Sequence, residues 1–311
     1  MRSTQLYTNI KAIAWVTVGT ALFSLIFASG KFADGSASSS QILFLRYVGG
    51  LATLLAVMLA RRERLSAYRS AKPLSHFMRA IFGASGGGAL IYASAKMPII
   101  DATAIGLLYV VFVVPLGVVV LKEQITWSHF GAIGICCGGA ASIMGSRGAF
   151  TAFHVAYVFP AGIAVLGAAL LAIEGLMIKM LSSSDRAMTV LLYVNMFGII
   201  LMAGPAAMQW VPLSLGTALS LALLGPLAVT AQYCIVQGYR RASLSIVGPV
   251  DYTWLVFAGL IGFLGFGEKI SLGVATGSAI IAIGGIMLAI IKPPTGEARA
   301  RVCKGGRITQ R

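Results

Sequence analysis

Long apolar runs separated by short polar connections extend along nearly the whole chain. The clearest run, Ala102 to Leu121, has 20 residues without a charged side chain and stops at Lys122-Glu123. A helix of about 20 apolar residues crosses a hydrocarbon core of about 30 Å. Similar runs recur, and we predict ten membrane spans, at about residues 11–30, 42–60, 74–95, 101–121, 127–146, 153–179, 187–208, 213–238, 243–265 and 271–291.

The end of the first half of the chain recurs in the second half. Residues 246–269 again form a glycine-rich apolar segment that ends in Glu268-Lys269, so that Glu268 corresponds to Glu123, and a further apolar span follows both. Five spans per half is an odd number, so the second half enters the membrane from the opposite face. Inverted repeats of this kind are typical of secondary transporters, which hold substrate near the midplane between the halves.

The predicted fold is therefore an all-α integral membrane protein. We expect ten transmembrane helices, arranged as two inverted five-helix repeats around a central cavity. The predicted divisions are a first repeat, a second inverted repeat and a basic cytoplasmic tail, at residues 1–146, 147–291 and 292–311.

Composition and charge agree with a membrane location. The 311 residues are 58% hydrophobic and 11% charged, whereas soluble domains carry about 25% charged residues. The net charge of +15 is explained by topology rather than by nucleic acid, because 18 of the 24 Lys and Arg fall on one side of the predicted spans and four on the other. Cytoplasmic loops retain Lys and Arg. Both termini are therefore expected in the cytoplasm.

Cysteine and histidine usage excludes several other classes of protein. The four cysteines contain no CxxC pair, and the three histidines, His76, His129 and His154, are far apart in the sequence. This pattern offers no metal-ligand spacing. We expect no metal, no cofactor and no catalytic residues.

Three features of the sequence resemble a known family. ALFSLIFASGK occupies residues 21–31, FLRYVGGLATLL occupies 44–55, and each half ends with a Glu, an apolar stretch and a Gly-Gly pair. Their order and duplication resemble the EamA-type ten-helix transporters of the drug/metabolite transporter superfamily, over about residues 11–291. Within that family, the chain most resembles the aromatic amino-acid exporters. The resemblance implies export of small metabolites across the bacterial inner membrane.

Polar groups at membrane depth are costly and usually face a cavity or a partner. With about 1.5 Å of rise per residue, Asp251 lies roughly 12 Å into the ninth span and Trp254 lies near its midplane. Gly248-Pro249 precedes both residues. Either a broken helix presents Asp251 and Trp254 to a central cavity, or the helix begins at Pro249 with Asp251 in its first turn. Tyr109 aligns with Trp254 through the repeat, and the two rings could stack on an apolar or aromatic substrate.

Three further side chains are candidates for the substrate site. Asn195 lies about 12 Å into the seventh span, and Gln232 belongs to a polar and aromatic strip of the eighth span. Both amides could instead form hydrogen bonds between helices, as amides in membranes commonly do. Tyr92, near the outer end of the third span, is either a gate or an interface tyrosine.

Two charged residues complete the predicted site. Glu174 could bind an ammonium group or carry a coupling proton, or it could pair with Lys179 or reach the membrane surface. Arg46 could bind a substrate carboxylate bidentately, or it could anchor its helix at the interface. Outside the site, Glu123 and Glu268 are expected to cap the spans that follow them.

The leading hypothesis is a secondary transporter that exports aromatic or other apolar amino acids, and similar small metabolites, by alternating access. An efflux carrier for cationic drugs or purine-like metabolites is the alternative. Phosphate substrates are disfavoured because the sequence places no cluster of basic residues at the midplane. A membrane-embedded lipid enzyme is a remote third reading. The expected partners are a small-molecule substrate and the lipid bilayer, without nucleic acid, and the working form is expected to be a monomer.

Overall fold

The computed structural model describes residues 2–32, 37–96, 105–123, 125–146, 156, 158–266 and 272–291. Glu268 and the tail from residue 292 lie outside these ranges. The predicted boundary between the halves lies partly outside them, because residue 146 is described and residue 147 is not. Within them, the regular structure is helical. The helices are α1 (Arg2–Phe32), α2 (Ser39–Ala60), a 3₁₀ turn (Leu65–Tyr68), α3 (Pro73–Lys96), α4 (Leu108–Leu121), α5 (Trp127–Ser146), α6 (Val158–Ser184), α7 (Ala187–Met208), α8 (Leu215–Arg241), α9 (Leu244–Val247), a second 3₁₀ turn (Gly248–Tyr252), α10 (Thr253–Phe266) and α11 (Leu272–Ile290).

Six segments of these helices are long and apolar enough to cross a membrane. They are Leu6–Ile26, Ser40–Ala60, Trp127–Ser146, Val158–Ser184, Ala187–Met208 and Leu215–Arg241. Three shorter apolar helical segments accompany them, at Leu108–Leu121, Leu244–Phe257 and Ala275–Leu288. This is the pattern of a multi-pass membrane protein.

The helices pack in pairs whose contacts depend on small residues. The most extensive contacts join α5 to α11, α3 to α6, α1 to α8, and α2 to α8. A Cβ atom at Gly225 of α8 would lie 2.2 Å from the backbone nitrogen of Gly50 on α2, and one at Gly139 of α5 would lie 2.7 Å from the carbonyl oxygen of Gly277 on α11. Helices in lipid associate by close van der Waals packing, which small residues permit. These glycines therefore set how closely the helices approach.

The predicted ninth span is interrupted. The chain is helical over Leu244–Val247, takes a tighter 3₁₀ turn over Gly248–Tyr252, and becomes α-helical again from Thr253. Proline has no backbone N–H and its ring clashes with the carbonyl four residues earlier, which explains the change of helix type beside Pro249. Because helical residues precede Pro249, the helix does not begin at that residue. The structure thus shows a broken helix, with Asp251 in its 3₁₀ turn.

Candidate functional site

A buried group of hydroxyls surrounds the broken helix. The Thr20 hydroxyl on α1 donates to Oδ1 of Asp251 at 3.0 Å, and the hydroxyl oxygens of Tyr109 on α4 and Tyr239 on α8 are 2.6 Å apart. Tyr109 also forms a hydrogen bond with the Asp251 side chain. We call these four residues the tyrosine–aspartate cluster. It joins four separate helical elements through one carboxylate.

A second buried group contains opposite charges. Arg79 on α3 is 1% exposed, and its Nε lies 3.6 Å from Oε1 of Glu174 on α6. Its Nη1 donates to the Val190 carbonyl at 3.2 Å, and its Nη2 donates to Oε1 of Gln232 at 3.4 Å. The Arg46 charge on α2 also acts on Glu174. Arg46, Arg79, Glu174 and Gln232 form what we call the arginine–glutamate cluster.

The arginine–glutamate cluster has unused binding capacity. Nε of Arg46 and Nε of Arg79 are both buried without a hydrogen-bond partner. The cluster contains two guanidinium groups and one carboxylate, which leaves one positive charge in excess where charges are costly. Arginine binds carboxylates in a bidentate manner, and Glu174 can accept from an ammonium group. A small zwitterion or anion would therefore satisfy donors that the protein leaves unsatisfied.

The two clusters lie on neighbouring faces of α6. A Cβ atom at Gly83 of α3 would lie 2.6 Å from the Glu174 carboxylate carbon, so Glu174 fills the space that this glycine leaves. A Cβ atom at Gly175, the next residue of α6, would lie 3.3 Å from the Tyr109 hydroxyl oxygen. Adjacent residues of one helix thus face the two polar clusters.

The glycines of α3 that pack closely against α6 are not the pair that the sequence spacing predicts. Gly83 and Gly87 form a GxxxG pattern, which predicts that both face one neighbouring helix. In the structure Gly83 faces Glu174, and a Cβ atom at Gly86 would lie 2.9 Å from the Leu171 side chain on α6. A Cβ atom at Gly87 would meet nothing within 4 Å. The close face of α3 is therefore built on Gly83 and Gly86.

The other predicted site residues occupy separate positions. Nδ2 of Asn195 donates to the Leu191 carbonyl of its own helix at 2.8 Å, and a Cβ atom at Gly50 would lie 2.2 Å from its Oδ1. Trp254 and Tyr109 both pack against the same apolar cluster, which includes Leu107, Tyr252 and Leu288.

Tyr92 stands apart from the two clusters. It is 41% exposed on α3, a position that suits an interface tyrosine.

Three residues of the clusters were missed by the sequence reasoning, and one of the alternatives that it left open for Glu174 is excluded. Arg79, Tyr239 and Thr20 were not predicted as site residues. Arg79 had a usable signal, since an ionisable residue within an apolar span is usually functional. The alternative pairing of Glu174 with Lys179 is wrong, because Glu174 faces Arg79.

Lys179 instead holds the turn between α8 and α9, together with Glu123. The Lys179 ammonium donates to the Tyr239 carbonyl at 2.5 Å and also to the Ala242 carbonyl, at the end of α8. Glu123 accepts from the backbone N–H of Leu244 at 2.7 Å and of Ser245 at 3.1 Å, at the start of α9. A carboxylate at a helix N-terminus and a cation at a C-terminus are both favourable. We call Glu123 and Lys179 the turn clasp.

Glu123 is therefore a helix cap, as expected, but of a different helix. The sequence predicted that it would cap the span that follows it, α5. The structure places it at the N-terminus of α9, 121 residues away in the chain. Tyr239 connects this turn to the tyrosine–aspartate cluster, because its carbonyl binds the clasp and its hydroxyl binds Tyr109.

A comparison against known protein families agrees with the multi-pass helical fold. A model of the EamA-like transporter family matches residues 10–145 and again residues 159–291. The chain belongs to the EamA-like transporter family. It is thus a multi-pass membrane protein of the drug/metabolite transporter superfamily.

Two individual proteins are similar to this EamA-like chain. A riboflavin transporter of Rhizobium johnstonii (strain DSM 114642 / LMG 32736 / 3841) is 27% identical over 259 residues, which cover 81% of this chain and 82% of that protein. One solved structure, described only as "Crystal structure of protein", superposes with a TM-score of 0.72 at 19% identity, over 93% of this chain and 98% of that chain. The latter likeness concerns the fold alone.

Proposed function

We propose that this EamA-like protein is a secondary transporter that exports aromatic or other apolar amino acids, and similar small metabolites, by alternating access. In this proposal, ten spans form two inverted repeats in the bacterial inner membrane, with both termini in the cytoplasm. The protein works as a transporter of small molecules rather than as an enzyme acting on lipid.

The pairing of helices supports the inverted repeat. In an inverted repeat, each helix of the first half has a counterpart in the second half: α6 for α1, α7 for α2, α8 for α3 and α10 for α4. When counterparts are exchanged, the contact of α1 with α8 becomes the contact of α6 with α3. By the same exchange, the contact of α4 with α6 becomes that of α10 with α1, and the contact of α2 with α8 becomes that of α7 with α3. All of these contacts are present. A twofold-related pair of five-helix units produces this correspondence.

The arginine–glutamate cluster is the observation that carries the substrate class. An amino acid presents a carboxylate and an ammonium group a short distance apart. Arg46 and Arg79 offer unpaired Nε donors for the carboxylate. Oε1 of Glu174 lies 3.6 Å from Nε of Arg79, a distance at which the two atoms form no hydrogen bond, so Glu174 can accept from the ammonium group. The cluster's excess positive charge argues against cationic drugs as substrates.

Transport by purified protein in liposomes tests the proposal. Vesicles preloaded with radiolabelled tryptophan, phenylalanine or methionine should release the amino acid faster than vesicles without protein. Glu174→Gln removes the negative charge that the ammonium group would face and leaves only a neutral amide oxygen as acceptor, so release should slow by about tenfold or more, the equivalent of one lost charge-assisted hydrogen bond. Glu63→Gln, a matched change of an exposed acid, should leave release unchanged. If none of about twenty amino acids moves, the amino-acid assignment fails.

A flavin is the second candidate substrate, because the relative named as a riboflavin transporter matches 81% of this chain. The same vesicles loaded with riboflavin distinguish the two candidates by fluorescence. Release of riboflavin without release of any amino acid would replace the proposed substrate class. Tyr109 and Trp254 would then be the first residues to test for stacking on the planar ring system.

A further inference from the structure

A groove lies outside the two clusters, between the 3₁₀ turn Leu65–Tyr68 and α7. Its volume is about 400 Å³. The chain segment between α2 and α3 forms one wall, and the outer face of α7 forms the other. The groove is lined by Leu65, Ser66, Tyr68, Arg69, Leu192, Tyr193 and Met196.

The chain segment that forms the polar wall of the groove is strongly basic. Five basic residues and a single acid, Glu63, lie between α2 and α3; the basic residues are Arg61, Arg62, Arg64, Arg69 and Lys72. Arg186, at the start of α7, also places its charge close to Tyr68. The Tyr68 hydroxyl donates to Glu63, and this hydrogen bond raises the pKa of Tyr68. The Glu63 carboxylate is thereby hydrogen-bonded to Tyr68. Among the residues that the structure describes, Arg69 forms no ion pair, so its charge is available to a bound anion.

The other wall of the groove continues into an apolar stripe. Leu192, Met196 and Ile200 follow one another at four-residue intervals along α7, so they lie on one face of the helix. Met196 is 38% exposed and Ile200 is 61% exposed. Leu65, on the 3₁₀ turn, is 67% exposed beside them. One end of the groove therefore suits an anion, and the other suits a hydrocarbon chain.

We propose that this groove binds an anionic phospholipid, with the headgroup phosphate at Arg69 and Ser66 and an acyl chain along Leu192 and Met196. Tyr193 adds a further donor. Its hydroxyl accepts from the Ser70 backbone N–H at 3.3 Å, which leaves its own hydrogen for a phosphate oxygen. Basic pockets of this kind, next to transmembrane helices, bind anionic headgroups.

The bound lipid would brace the packing of three helices. Tyr193 stacks on His76 of α3 with ring centroids 4.6 Å apart. Nε2 of His76 lies 2.8 Å from Oδ2 of Asp185, which also accepts from Ser70 Oγ at 2.6 Å. Asp185 joins α6 to α7. A lipid seated against Tyr193 therefore supports the junction of α3, α6 and α7, and the protein should be more stable when the lipid is bound.

Thermal unfolding of the full-length protein in mixed micelles tests the proposal. Phosphatidylglycerol should raise Tm more than phosphatidylcholine of the same acyl chains at equal concentration. Arg69→Gln should weaken the apparent affinity for phosphatidylglycerol by about fivefold to tenfold, the contribution of one basic residue near an anionic lipid. Arg240→Gln, at an exposed arginine of the last turn of α8, is the matched control and should behave as wild type.

Two further measurements distinguish binding of a whole lipid from a general effect of detergent or of phosphate. Met196→Trp fills the apolar wall without changing charge, and it should reduce the phosphatidylglycerol effect while leaving Tm in phosphatidylcholine unchanged. Inorganic phosphate alone should not raise Tm. Equal stabilisation by the two lipids, equal loss in Arg69→Gln and Arg240→Gln, or full protection by inorganic phosphate would each overturn the proposal.

Discussion

Replacing Glu123 with glutamine tests whether the turn clasp holds the junction of α8 and α9. The two carboxylate oxygens each accept one backbone N–H, from Leu244 at 2.7 Å and from Ser245 at 3.1 Å. Glutamine keeps one oxygen and turns an NH₂ group toward the other N–H. One hydrogen bond is lost, and the remaining bond loses its charge.

The cost follows from the burial of the two amides. Leu244 is 0% exposed and Ser245 is 1% exposed, so water cannot replace the lost acceptor. A hydrogen bond to a charged group contributes about 1.5–3 kcal/mol, and an unsatisfied buried group costs about 1–3 kcal/mol. We expect Glu123→Gln to lower the free energy of unfolding by about 2–4 kcal/mol. At about 2–4 °C per kcal/mol, Tm falls by roughly 4–16 °C.

The assay is unfolding of the purified protein in detergent, with Glu63→Gln as the control. Glu63 is an exposed acid with a single hydroxyl partner, Tyr68, and its replacement should cost less than about 1 kcal/mol. Lys179→Met should also destabilise the protein, since it removes both donors to the end of α8. The double variant should lose less than the sum of the single variants by about 0.5 kcal/mol or more, because both residues hold the same turn.

The result that refutes the reasoning is specific. If Glu123→Gln is within about 0.5 kcal/mol of wild type, the size of an ordinary surface change, the carboxylate does not hold the turn. Strict additivity of Glu123→Gln and Lys179→Met would show that the two residues act on separate features, contrary to the clasp.

Two further predictions concern the clusters. Gly83→Ala should displace the flexible Glu174 carboxylate, whose carbon lies 2.6 Å from the new Cβ position, and should slow transport with little change in Tm. Gly87→Ala is the control, because a Cβ there meets nothing within 4 Å, and it should change neither transport nor Tm. Equal transport by the two variants would contradict the placement of Glu174. Tyr239→Phe should remove the 2.6 Å hydrogen bond with Tyr109 and lower stability by about 1 kcal/mol, measured by the same unfolding assay, and a variant as stable as wild type would show that this bond contributes nothing.

The sequence predicted what depends on local composition. Apolar runs located α2, α5 and α7 to within a few residues of their observed ends, because a span needs a fixed length of uncharged chain. Pro249 similarly predicted either a broken helix or a helix that begins at that residue, since the loss of one donor acts on the nearest turn. Asp251 and Glu174 were predicted as site residues because a carboxylate in an apolar run is conspicuous in any context.

Partners were beyond the reach of the sequence. Glu174 meets Arg79, which lies 95 positions earlier, and Glu123 caps a helix that begins 121 positions later. A helix that is hydrophobic on nearly every face has no hydrophobic periodicity along its sequence. Its rotation about its own axis therefore cannot be predicted from the pattern of apolar residues. Gly83 and Gly87 show this directly, since identical residues four positions apart differ in whether they face a neighbour.

The sequence by itself thus determined that this chain is a helical membrane protein, that its halves resemble one another, and that polar residues such as Asp251 and Glu174 interrupt its apolar runs. Only the tertiary structure decided which of those residues meet, because that depends on the rotation and crossing of packed helices. It divided them into a tyrosine–aspartate cluster and an arginine–glutamate cluster on neighbouring faces of α6. It also moved Glu123 from the helix that follows it to the start of the broken helix, where two buried amides require an acceptor.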